Sequence, residues 1–270
     1  MTTVAAPLER PRGRVPRAVP LAIAAAWALA LVAELTGTAG SLHHDSLLEG
    51  GPPLWAALPL FLLAWQVMVA AMMLPSSLPL LRLFDAVTRR RDTAGHARAA
   101  FVGGYVAVWA AFGAFAFLGD GVVHRVVDAV PALSERPWLV AGGVLALAGA
   151  FQFSELKERC LSKCRHPGPY LLAHYRRGAS GAFWLGFGHG VFCLGCCWAL
   201  MLLMFAVGVA HVAWMAALAA LMVYEKTGRH GYRVPRAAGV VLLVWGAVVL
   251  VHPGWLPDAL SLAAPHHHGH

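Results

Sequence analysis

The chain reads as an all-α bundle of membrane-spanning helices, and three observations predict it. Hydrophobic residues fill 59% of 270 positions and charged residues only 13%, with a mean hydropathy of +0.64, a balance that soluble globular domains do not reach. The apolar residues gather into runs near the ~20 residues needed to cross a hydrocarbon core about 30 Å thick. Basic residues concentrate in alternate connections between those runs.

Seven runs follow in order: Pro20 to Leu35, Leu54 to Leu74, Ala97 to Leu118, Pro137 to Phe153, Ala182 to Gly208, Val212 to Tyr224 and Val234 to Val251. The first lacks a small-residue cleavage site ahead of the loop with His43, His44 and Asp45, so it is expected to stay as a signal-anchor. The second should end at a Pro75-Ser76-Ser77 turn. Runs five and six almost abut. As one helix they would extend roughly 65 Å, twice the core, so a reversal near Gly208 to His211 is required. The spacing thus predicts a basic arm at 1–19, a helical domain at 20–252 and a His-rich tail at 253–270, with no loop long enough to be a soluble domain.

Nineteen of the 21 Lys and Arg residues fall on alternate connections, leaving Arg125 and Arg136 on the other side. By the positive-inside rule the N-terminus is cytoplasmic and the C-terminus external, which an odd number of spans requires. The net charge of +8 is then a topology signal with some attraction to anionic lipid, and nucleic acid is excluded as a partner.

Chemistry is concentrated in run five. Cys193, Cys196, Cys197, Met201 and Met204 recur at three- and four-residue intervals and share one helical stripe. Thiolate and thioether sulfur suit Cu(I) or another soft thiophilic ion. Run two carries Met68, Met72 and Met73; counting from opposite ends puts Met68 near the depth of Cys193. Methionine is also a packing filler, and only its company with cysteine makes ligation the sharper reading.

Cys160 and Cys164 lie just past run four, on the cytoplasmic side, four residues apart and so on one face of a continuing helix that Pro167 ends. A reducing cytoplasm argues against a structural disulfide there. The adjacent Arg159, Lys163 and Arg165 should favour the thiolate. His189, one turn before Cys193, is a candidate ligand or a headgroup-facing residue. Gly186 and Gly190 form a GxxxG spacing that allows close helix approach. His43, His44 and the terminal His266, His267, His268 and His270 are candidate external metal ligands or low-complexity sequence.

The combination of WQVMVAAMMLPS, FQFSELKERCLSKCRHP, GHGVFCLGCCWALM and the Glu225-Lys226 pair resembles a bacterial family of metal-binding integral membrane proteins, formerly a domain of unknown function. That family includes a proposed copper chaperone accompanying a polyphenol oxidase. The resemblance runs from span two to span six and implies copper handling by Met72, Met73, Cys160, Cys164, Cys193, Cys196 and Cys197.

Together these features predict a multi-pass protein of the bacterial inner membrane that is not an enzyme. It would bind Cu(I) and deliver it to an extracytoplasmic copper enzyme or copper-carrying protein. Cys160 and Cys164 would receive the ion, a midplane cluster would hold it, and the outer histidines would assist release. No phosphate-binding loop supplies energy. The alternatives are an intramembrane thiol–disulfide relay through Cys193 and Cys196, or an assembly partner whose cysteines merely pack. The methionines favour copper, because thiol exchange gives them no role.

Overall fold

The computed structural model describes residues 15–38, 52–89, 93–136, 138–207 and 211–252. His43, His44, Asp45, the terminal histidines, most of the basic arm and most of the expected reversal lie outside these residues. The described chain is helical, with no strand among the described residues.

Its elements are α1 (Ala18–Leu35), α2 (Leu54–Thr88), α3 (Ala94–Ala129), α4 (Pro131–Ser134), α5 (Trp138–Phe151), α6 (Glu155–Arg165), α7 (Pro167–His174), α8 (Gly178–Val207), α9 (Val212–Thr227) and α10 (Val234–Val251). Each of the seven apolar runs has a helix. Five of them, α1, α2, α3, α8 and α10, are long and apolar enough to cross a membrane alone, and α5 with α6 makes a sixth only as a pair bent by 62°. Helix length and composition by themselves give five or six spans, α5 having 14 residues and α9 16.

The expected stop at Pro75 does not occur. α2 runs on to Thr88, with Pro59, Pro75 and Pro79 inside it. Pro75 has no N–H for the carbonyl of Ala71, four residues earlier. That carbonyl accepts instead from Trp27 Nε1 of α1 at 3.2 Å, so a neighbouring helix makes good the lost bond, as proline in lipid requires.

α8 packs along α3 through the predicted glycine spacing. A side chain at Gly186 would strike the Phe101 carbonyl, and one at Gly104 would strike that of Phe183. The two backbones touch because neither helix carries a Cβ there.

Phe151 ends α5, and Ser154 caps α6, its hydroxyl accepting from the Lys157 N–H at 3.1 Å. Glu155 and Glu158 occupy the first turn of α6, and Lys163 and Arg165 the last, matching the helix dipole at both ends. The buried face of this short, polar helix is Lys157, Cys160, Leu161 and Cys164. α6 rests on α8 and α9, and His166 and Pro167 end it as the sequence predicts.

Candidate metal centre

The centre begins at the proline turn of α2. The hydroxyls of Ser76 and Ser77 donate back to the Met73 carbonyl at 2.8 and 3.2 Å, which leaves their lone pairs free for other helices. Lys226 Nζ of α9 donates to Ser76 Oγ at 3.1 Å, and His189 Nε2 of α8 lies 3.1 Å from Ser77 Oγ.

One turn beyond His189, Cys193 Sγ sits 3.1 Å from Lys226 Nζ and 3.2 Å from the Tyr105 hydroxyl of α3. The Cys196 and Cys197 thiols donate to the Cys193 carbonyl at 3.0 and 2.9 Å. Cys197 Sγ also approaches Met73 Sδ of α2 to 3.8 Å. None of these sulfurs is more than 1% exposed.

The second cysteine pair arrives from α6. Cys164 stands close enough to Cys196 for the two thiols to interact, and Cys160 Sγ lies over the backbone of Gly195, where a Cβ would stand 2.6 Å from it. The expected face-sharing of Cys160 and Cys164 holds, and all five cysteines belong to one buried cluster. All five are free thiols. Of the basic neighbours, Arg159 pairs with Glu155 at 2.7 Å, Arg165 bonds the carbonyls of Glu225 and Gly228, and Lys163 is exposed. They do not favour a thiolate at Cys160, whose pKa burial pushes up.

The methionine register also differs from expectation. Met73 meets Cys197, whereas Met68 lies five residues earlier on α2, about 7.5 Å along the axis. Met68 is therefore level with Met201, one turn past Cys197, rather than with Cys193. Met68, Met72, Met73 and Met201 are all fully buried. His189 does join the cysteine stripe, stacked on Tyr105 with ring centroids 5.7 Å apart.

Three participants lie outside the sulfur pattern: Tyr105, the Ser76–Ser77 pair and Lys226. Lys226 counts as a cytoplasmic charge in the topology argument, yet it is 5% exposed and aimed at Cys193. Its signal in sequence was a Glu-Lys pair ending an apolar run, since ionisable groups at membrane depth are seldom idle. Glu225 is engaged separately, accepting from the buried Lys157 Nζ at 2.8 Å.

The chemistry is that of soft ligands beside one positive charge. Among the described residues, no three His, Cys, Asp or Glu side chains stand ready-made around a metal. The Cys196 and Cys197 thiols are both directed at the Cys193 carbonyl. To share a soft ion with Met73, each of these thiols would give up its proton and its weak hydrogen bond to the backbone.

No curated protein and no solved structure matches the chain. A family model described as a copper chaperone, PpoB2, matches residues 62–249, which include every cysteine and all of α3 to α9. The chain belongs to the PpoB2 copper chaperone family.

Proposed function

We propose that this protein carries Cu(I) in the membrane, binding it between α2, α6 and α8 and handing it to an extracytoplasmic copper protein. One observation carries the reading: two cysteine clusters about thirty residues apart converge with Met73 in one buried centre. Two or three soft donors suffice for Cu(I), and thioether sulfur discriminates against harder ions. Two thiolates with Cu(I) carry one net negative charge, which the Lys226 ammonium beside Cys193 offsets.

In this reading all seven apolar helices cross, with the N-terminus cytoplasmic. Cys193 and Lys226 lie 14 residues from the facing ends of α8 and α9, at Val207 and Val212. That is about 21 Å from the reversal, beyond the middle of a core about 30 Å thick. The centre thus stands on the cytoplasmic side of the midplane, with α6 laid across it. Copper enters from that side.

The test is metal analysis of the detergent-purified protein loaded anaerobically with Cu(I) or Zn(II). The expected result is retention of Cu(I) in preference to Zn(II), with loss of thiol reactivity at Cys193, Cys196 and Cys197. A Cys193–Cys196 disulfide that cycles with a thiol donor, with no copper retained, would overturn this reading in favour of the thiol relay.

A further inference from the structure

Among the described residues, methionine is the large apolar residue type that is buried at every position. Met68, Met72, Met73, Met201, Met204, Met215 and Met222 are each at most 1% exposed, while many Leu, Val, Phe and Trp residues face outward. Lipid tails are as apolar as leucine, so an apolar environment gives no reason to withdraw every thioether while leaving many other large apolar side chains outside.

Their heights are matched as well. Cys197 and Met222 both lie ten residues from the facing ends of α8 and α9, and Met204 and Met215 both lie three. Between them falls Met201, level with Met68 of α2. All belong to one continuous buried cluster. α2 and α8 make little backbone contact, so long side chains fill the space between them. Successive levels are about one helical turn apart, near 5.4 Å. An ion bridging two sulfurs with bonds of about 2.3 Å spans a similar ~4.6 Å.

We propose that these residues form a thioether track for Cu(I), leading from the cysteine centre to a second, weaker site at Met204 and Met215 beside the α8–α9 reversal. The inference rests on the cysteine centre binding Cu(I) and adds where the ion goes next. Transfer is ligand exchange: a copper–sulfur bond to Cys197 breaks as one to Met222 or Met201 forms. Copper remains Cu(I) throughout and no electron moves. The thioethers are neutral, so the ion carries its single positive charge along the track and leaves the two thiolates that held it behind in the centre with Lys226.

The test uses the full-length protein in phosphatidylcholine vesicles and Ag(I), a redox-inert analogue of Cu(I). Stoichiometry and release to an impermeant chelator are followed for the wild type, for Met204→Leu/Met215→Leu and for Cys196→Ser/Cys197→Ser. Leucine conserves volume, and thermal unfolding confirms that the variant is folded. The methionine variant is expected to keep tight binding, lose the weaker class of ion and release at least ten-fold more slowly. The cysteine variant should lose the tight class. Wild-type stoichiometry and release in the folded methionine variant would overturn the track while leaving the cysteine centre intact. Failure of the wild type to retain Ag(I) or Cu(I) at all would overturn both.

Discussion

The α5–α10 pair and the α2–α8–α9 interface are both helix contacts inside an apolar bundle, yet they are built on opposite rules. In the first, the helices close onto each other through glycines: a Cβ at Gly149 would stand 2.9 Å from the backbone nitrogen of Leu243, and one at Gly246 3.2 Å from that of Ala146. In the second, Cys197 meets Met73 across a gap bridged by side chains, and Lys226 reaches Ser76 and Cys193. In lipid, association rests on packing and hydrogen bonding rather than on expulsion of water. Glycine contacts secure that packing and leave no room for a ligand. The sulfur-lined interface gives up close backbone contact and gains polarizable donors with freedom to turn.

Changes at the sulfur interface should affect metal and spare the fold, and changes at the glycine interface should do the reverse. The largest effect is expected from Cys196→Ser/Cys197→Ser. It should weaken Cu(I) binding by more than the 10–100-fold typical of losing a supporting group, with membrane insertion intact, as read by competition with a chromogenic chelator. Unchanged copper content would reduce this cluster to packing.

Lys226→Met keeps a long, unbranched side chain and removes the charge. Cu(I) affinity should fall by about 10–100-fold, as for supporting groups at other metal sites. Unfolding temperature should hold or rise, since replacing a buried charge by apolar volume is commonly neutral or stabilising. A fall in unfolding temperature without a change in affinity would make Lys226 a structural residue.

Gly149→Leu sharpens the contrast from the other side. Overpacking against the Leu243 backbone should cost about 1–3 kcal/mol and lower thermal stability, while the folded fraction binds Cu(I) as the wild type does. Loss of affinity in that fraction would show that the two interfaces are coupled. Trp27→Phe should have the smallest effect. It removes the donor that satisfies the Ala71 carbonyl left open by Pro75, at about 1–3 kcal/mol for an unpaired buried acceptor, nearer 1 where the group is only partly buried.

How much of this was legible varies with the residue. The face-sharing of Cys160 with Cys164 and the stripe of Cys193, Cys196 and Cys197 follow from helical spacing alone. The run of α2 through Pro75 was not legible, because local rules stop a helix at proline and the compensating donor, Trp27, is 44 residues away in sequence. The pairing of Met73 rather than Met68 with the cysteines depended on where α2 ends and how it slides along α8. Counting apolar residues could not resolve that offset.

Composition and periodicity by themselves determined an apolar helical bundle, the order of its helices, the sulfur stripe and a motif set specific enough to indicate the family. Those properties depend on the chain's local repeat and on what a bilayer tolerates. Tertiary structure alone decided that the two cysteine clusters share one buried cluster, that Lys226 faces it, and that Met204, Met215 and Met222 are buried in the same cluster. Each of these depends on the relative height and rotation of separate helices, set by the 62° bend that swings α6 back and by the glycine contacts that seat α8 on α3. Such terms are sums of weak contacts between distant residues, and no local pattern records them.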